Sequence, residues 1–163
     1  MKTGSLQSRL LGRAALARMR GHWRRKGKRV VFTNGVFDIL HRGHLDILSR
    51  AKSFGDILVV GLNSDASVRR LKGPTRPLNR QRDRALMLLA LRMVDFVCIF
   101  GEDTPLELIR ALRPDVLVKG AEYATGHIVG ASEVHGWGGR VRRVTMRRGY
   151  STTGLLKRIG GPK

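Results

Sequence analysis

The sequence predicts an α/β fold: a Rossmann-like parallel five-stranded sheet with helices on both faces. Three observations predict it. Short apolar runs rich in Val, Ile and Leu alternate along the chain with longer segments of helical periodicity. The runs read as buried strands, which a sheet covered on both faces requires. Polar residues and glycines gather just after the runs, at the carboxyl ends of strands, where such sheets bind ligands.

The elements follow in order. Residues 1–27 read as a basic N-terminal helical segment, and residues 28–160 as the α/β domain. In the segment, Leu6, Leu10, Leu11, Ala14, Leu16 and Ala17 fall at roughly helical spacing among the charges, predicting one basic amphipathic helix. Val30 to Thr33 is the first strand. A helix starts at Gly43, with Leu45, Ile47, Leu48 and Ala51 turned inward. Asp56 to Leu62 is the second strand, ending in the turn Asn63-Ser64-Asp65, and Ala66 to Leu71 forms a short helix. Lys72 to Pro77 reads as a basic loop broken by two prolines. Asn79 is the expected cap of a long helix running through Met93, with Ala85, Leu86, Leu88, Leu89 and Leu91 in the core. Asp95 to Phe100 is the third strand. Pro105, preorganised for a first helical turn, opens a helix that stops before Pro114. Asp115 to Lys119, Arg140 to Met146 and Ser151 to Ile159 complete the pattern as strand, strand and helix.

Composition narrows the classes. The chain has 163 residues and a formal net charge of +20. Ten of its basic residues and no acid lie in residues 1–29. Such a segment either attaches to nucleic acid or an anionic membrane surface, or packs on the domain with a solvated basic face. The second reading is favoured. Cys98 stands alone in an apolar run, so no disulfide framework forms within one chain, and a reducing cytoplasm is the expected location. No apolar run is long enough to cross a bilayer, and the N-terminus lacks the features of a secretory signal.

The candidate chemistry gathers at the carboxyl ends of the strands. His41 and His44 flank Gly43 where a strand passes into a helix. A helix start offers free N–H groups and the positive end of its dipole, Gly43 lets a phosphate come close to the backbone, and two imidazoles can donate to phosphoryl oxygens as charge builds. Asn63 and Asp65 follow the second strand, Lys119 and Gly120 the fourth, and Ser151, Thr152 and Thr153 open the last helix. Arg147 and Arg148 stand just upstream, where cations complement a triphosphate. Each feature has a structural use: Ser-Thr-Thr as a cap, Asn63 and Asp65 as turn formers, Lys72 and Arg76 as solvated cations. Their convergence on one sheet edge favours a phosphate site.

Thr33-x-Gly35-x-Phe37-Asp38-x-x-His41-x-Gly43-His44 resembles the signature of the cytidylyltransferase-like nucleotidyltransferases, and Arg148-Gly-Tyr-Ser151-Thr152-Thr153 resembles their C-terminal motif. More narrowly, Asn63-Ser64-Asp65-Ala66-Ser67, Arg70-Leu71-Lys72-Gly73, Arg76-Pro77-Leu78-Asn79, Glu102-Asp103-Thr104-Pro105 and Leu117-Val118-Lys119-Gly120 resemble the adenylyltransferase domains of the ADP-heptose synthase group. The likeness runs from about Arg24 to Ile159. It departs at Ala121-Glu122-Tyr123, where the family more often has Gly-Asp-Tyr, and at His135-Gly136-Trp137.

The resemblance implies a nucleotidyltransferase domain over 28–160 that transfers AMP from ATP to a sugar 1-phosphate, D-glycero-β-D-manno-heptose 1-phosphate, releasing pyrophosphate. It implies catalytic roles for His41, His44 and Lys72. It implies nucleotide contacts from Thr33, Asn34, Gly35, Phe37, Asp38, Gly43, Lys119, Gly120, Arg148, Ser151, Thr152 and Thr153. Asn63, Asp65, Lys72, Arg76, Glu122 and Tyr123 would face the acceptor. Mg²⁺ is expected with ATP, with no direct protein ligand beyond Asp38, which either orients a histidine or faces the metal. A homodimer is expected, with a sugar kinase as a separate upstream protein. The alternatives are a cytidylyltransferase for glycerol 3-phosphate or another alcohol phosphate, a flavin adenylyltransferase (FAD synthetase), and, in a different class, a basic nucleic-acid-binding module. The last lacks a recognised nucleic-acid motif and has few aromatics for stacking.

Overall fold

The computed structural model describes residues 4–121, 127–145, 150 and 152–160. Five strands form one parallel sheet: β1 (Val30–Gly35), β2 (Ile57–Asn63), β3 (Phe96–Phe100), β4 (Val116–Gly120) and β5 (Arg140–Val144), in the order β3-β2-β1-β4-β5. The chain winds outward from β1 in one direction to β3, then returns to place β4 on the other side. The β1/β4 boundary is therefore the switch point, where loops diverge and leave a crevice.

Residues alternate between the two faces, as the pleat dictates. Val31 packs with Val60, Leu62, Val116 and Val118 beneath α3 (Arg42–Lys52) and α5 (Gln81–Ala90), whose Leu48, Ala51, Ala85 and Leu88 are buried there. Val30 and Phe32 face the other way, onto α2 (Arg13–Arg25), α6 (Leu106–Leu112) and α7 (Ala131–Gly136) through Leu16, Trp23, Ile109, Leu112 and Val134. Cys98 is buried in this second layer, and burial pushes its thiol up to about 11, as for an inert core thiol. The remaining helices are α1 (Gly4–Gln7), α4 (Asp65–Lys72) and α8 (Thr152–Ile159).

The basic segment is two helices rather than one. Between α1 and α2 the chain runs beside β3: Leu11 donates to the Val97 carbonyl at 2.9 Å, and Val97 donates to that of Arg9 at 3.1 Å. Leu6 and Leu10 pack on one face of the sheet, Leu11 and Leu16 on the other. One straight helix cannot serve both faces; a kinked strap around an edge strand can, and it covers a β edge that would otherwise be unpaired.

Other boundaries move for identifiable reasons. β1 continues past Thr33 to Gly35 because Asn34 and Gly35 pair with Gly61 and Leu62. Helix α3 begins at Arg42 with His41 at its cap position. Lys72 is the last residue of α4, which Ser64 caps by accepting from the Ser67 amide, and Gly73 at φ 95° ends that helix, a conformation glycine adopts freely. Arg80, not Asn79, caps α5, and the helix stops at Ala90. Arg9 reaches in from the strap and donates to the carbonyls of Leu89 and Val94, satisfying acceptors at that helix end. Pro105 occupies the cap position of α6 rather than its first turn. Helix α7 lies in a stretch where the sequence pattern predicts none. Strand β5 ends at Val144, before Met146.

Candidate active site

A cleft of about 350 Å³ opens over the carboxyl ends of β1, β2 and β4. The first strand delivers Asn34 and Gly35 to its floor, and the chain then turns back on itself at Phe37 with φ 46°. A Cβ on Gly35 would lie 2.9 Å from the Phe37 ring, so the turn needs glycine there. The Phe37 ring in turn lies against His44, with centroids 5.0 Å apart.

His41 and His44 stack face to face at 3.8 Å, with an interplanar angle of 17°. The α3 backbone sets this: His41 is extended at the cap, the amide of His44 donates to its carbonyl at 2.9 Å, and both side chains emerge on the same side of the first turn. Gly43 between them is buried; a Cβ there would meet the His41 ring at 3.2 Å and Tyr150 at 3.3 Å. Tyr150 thus stands against the first turn of α3. Burial lowers the pKa of both imidazoles, and His44 falls to about 4 with further repulsion from His41 and Lys72. Both rings are therefore neutral at pH 7. Each neutral ring carries one N–H that can donate to an incoming phosphate oxygen.

Lys119 crosses from β4 to the Asn34 side-chain oxygen, which spans the switch point and places an ammonium beside the turn. Lys72, Arg76 and Thr152, the first residue of α8, also line the cleft. Asn63 lines the cleft and donates to the Ser67 hydroxyl at 3.0 Å. The cleft therefore collects Asn34, Gly35, Phe37, Asp38, His44, Asn63, Lys72, Arg76, Lys119 and Thr152 from the residues expected at it. His41 stands beside it through its stack on His44. Thr33 points into the core, and Gly120 is buried at the end of β4. Thr153 lies in α8. Glu122, Tyr123, Arg147, Arg148 and Ser151 lie outside the described residues.

Asp38 and Asp65 are held by other parts of the protein. Asp38, 2 % exposed, accepts from the amides of Leu78 and Asn79 at 2.9 Å and pairs with Arg76 at 2.8 Å, while the Asn79 side chain donates back to its carbonyl. Its carboxylate thus ties down the segment between α4 and α5 and, through Arg76, one wall of the cleft. Among the described residues no group of three or more His, Cys, Asp or Glu is placed to hold a metal ion. Asp65 pairs with Arg84 at 2.7 Å, and Arg84, fully buried, also donates to the carbonyls of Val36 and Asn79. One guanidinium therefore pins the turn after β1, the start of α4 and the entry to α5.

Arg84 is a residue that sequence reasoning missed. It sits among core positions of an amphipathic helix, and its only sequence signal is a cation in the register of the buried face. Asp103, Thr104, Pro105 and His127 also line the cleft; the first three belong to a stretch that carries the family resemblance and a helix start, and none of the four was expected at the site.

The comparisons with known proteins agree with this geometry. A family model described as cytidylyltransferase-like matches residues 32–158. The Bifunctional protein HldE of Paramagnetospirillum magneticum is 54% identical over 155 residues, covering 95% of this chain and 32% of that protein. The protein of the same name from Wolinella succinogenes is 51% identical over 158 residues, covering 97% and 32%. The chain thus spans about a third of the length of the curated relatives it matches. Among solved structures, the lipopolysaccharide core biosynthesis protein from Thermoplasma volcanium is 29% identical with a TM-score of 0.61, over 77% of this chain and all of that one. Pantoate-beta-alanine ligase from Francisella tularensis, 12% identical with a TM-score of 0.59, covering 85% of this chain and 68% of its own, shares the fold.

Proposed function

This chain belongs to the cytidylyltransferase-like family, and we propose that it is the adenylyltransferase that joins AMP from ATP to a sugar 1-phosphate, D-glycero-β-D-manno-heptose 1-phosphate, to give the ADP-sugar and pyrophosphate. The observation that carries the reading is the stacked, neutral pair His41 and His44 at the start of α3, over the switch point of the sheet. The narrower choice of acceptor rests on the relatives that match almost the whole chain.

The triphosphate lies over the first turn of α3, where unpaired amides and the dipole favour anions. A phosphate oxygen of the acceptor attacks the α-phosphorus. The bond from that phosphorus to the α,β-bridging oxygen breaks, and its electrons leave with pyrophosphate. The nucleophile is already an anion, so no base and no covalent enzyme intermediate are required. His41 and His44 donate to phosphoryl oxygens as these gain charge, which is worth most where water is excluded. Lys72 meets the acceptor phosphate as a point charge, with Arg76 held behind it by Asp38. Lys119, Arg148, Ser151 and Thr152 serve the nucleotide. Mg²⁺ bound with ATP would supply charge neutralisation on the phosphates.

A cytoplasmic location is part of this proposal, because ATP and a sugar phosphate are the substrates it names; among the described residues no helix is long and apolar enough to cross a membrane. The test is a matrix of ATP, CTP, GTP and UTP against heptose 1-phosphate, other sugar 1-phosphates and glycerol 3-phosphate, read as pyrophosphate release. ATP with heptose 1-phosphate should give the highest specificity constant. A preference for CTP with an alcohol phosphate would overturn the choice of substrates.

A further inference from the structure

A second cleft, of about 720 Å³, opens at the opposite end of the sheet, where β1 and β4 begin. Its residues Arg29, just ahead of β1, and Val116, the first of β4, stand at the ends of the strands opposite Asn34 and Lys119. At about 3.3 Å per residue the two clefts are roughly 15 Å apart along the strands.

The wall chemistry is one-sided. Seven of the lining residues are Lys or Arg, and one, Asp115, is acidic. That carboxylate is already engaged: it accepts from the Val30 amide at 2.7 Å and pairs with Arg20 at 2.8 Å. Lys28 has only Asp56, at 3.9 Å, and both are about half exposed. Arg24 and Arg140 are exposed, with side chains that make no ion pair or hydrogen bond among the described residues. Two aromatic rings stand in the walls, each beneath a guanidinium: Trp137 under Arg113 at 5.3 Å and Phe54 under Arg142 at 6.0 Å. Crowded like charges repel, and this concavity concentrates their field. The nucleotidyl-transfer reaction gives this face no task.

We propose that this cleft is a second anion site, which binds a phosphate-rich ligand of nucleotide size, a triphosphate or short polyphosphate chain. Shape selects that class. The volume lies in the range of small-molecule sites, and a concave wall suits a compact ligand better than a flat bilayer or a rigid duplex. Several guanidiniums can fork onto successive phosphates. The Trp137 ring can carry a base where one is attached.

The chain supplies its own reporter. It has two tryptophans; Trp23 is buried in the core, and Trp137 lines this cleft. Neither lines the catalytic cleft. Inorganic tripolyphosphate titrated into the 163-residue chain at low salt should give a saturable change in tryptophan emission. The double variant Arg24→Glu/Arg140→Glu, exposed and outside the catalytic cleft, should weaken binding at least tenfold while leaving the turnover of nucleotidyl transfer at saturating ATP unchanged. Lys72→Met should leave the titration as it is, and Trp137→Phe should remove the optical signal but keep binding by calorimetry. UTP binding as well as or better than tripolyphosphate supports the site equally, the second case adding a stacked base. The proposal is overturned if emission does not saturate, if the double variant binds like the wild type, or if the signal is lost with Lys72→Met. It is also overturned if oligonucleotides bind with affinity that grows with length, or if the protein floats with anionic vesicles and tripolyphosphate does not compete.

Discussion

At the residue scale, His44 carries the most. It is pressed between Phe37 and His41 and shielded enough that its pKa drops to about 4. His44→Ala should lower turnover by about two to three powers of ten while changing Michaelis constants much less, as expected for a donor used mainly in the transition state. Near-normal steady-state turnover in the folded variant would remove this histidine from the mechanism. The same burial makes a pH prediction. Between the unfolded value of 6.5 and the folded value of about 4, the unfolded chain binds the proton that the folded one refuses. The stability from a neutral His44 is thus fully present above 6.5 and is lost as pH falls through the folded value. Urea midpoints taken from pH 7 to pH 4 should fall more steeply for wild type than for His44→Gln. Parallel curves would show that the imidazole does not resist protonation. The histidine pair was legible in sequence because its neighbours are local: the end of β1 at Gly35, the start of α3 at Arg42 and Gly43 all stand close to it in the chain. Asp38 is legible in sequence as a nucleotide contact that orients a histidine or faces a metal; its partners Leu78 and Asn79, some forty positions away, are not.

At the scale of elements, the irregular segment from Gly73 to Arg80 brings Arg76 to the cleft, and Asp38 holds it. Two backbone amides and a guanidinium converge on one buried carboxylate. Asp38→Asn keeps the shape but removes the charge, leaving Arg76 without its counter-ion. It should cost about 2–3 kcal/mol of stability. It should also speed hydrogen exchange at the Leu78 and Asn79 amides and raise the Michaelis constant for the acceptor more than for ATP. Unchanged exchange at those two amides would mean the segment is fixed by other contacts. Element order, five strands and their parallel sense were readable from periodicity because each depends on short-range pattern. The break between α1 and α2 was not. Apolar residues at helical spacing do not say whether they meet one face or two, and here the edge of β3 decides. The end of α5 was missed for a similar reason, since Arg9 of the strap satisfies carbonyls there.

At the scale of the molecule, charge dominates. Of the basic N-terminal residues, Arg9, Arg13 and Arg20 are used internally, pairing with backbone carbonyls, Glu102 and Asp115. The rest add to a field that attracts polyphosphates. The specificity constant for ATP should therefore fall as salt rises from 50 to 500 mM, by about tenfold at most, with turnover nearly constant. A salt-independent specificity constant would deny the field any part in capture. The fold divides the basic surface between two ends of the sheet: the carboxyl ends hold the cleft proposed for nucleotidyl transfer, and the amino ends hold the second cleft.

The most direct test of the central claim follows the fate of each phosphate. ATP labelled at the α-phosphorus, and separately at the γ-phosphorus, is incubated with heptose 1-phosphate, Mg²⁺ and the protein. The account predicts that the α label moves into an ADP-sugar, one for each pyrophosphate formed, that the γ label appears only in pyrophosphate, and that His44→Ala suppresses both. Release of the γ label as inorganic phosphate, or its transfer to the sugar, would contradict nucleotidyl transfer.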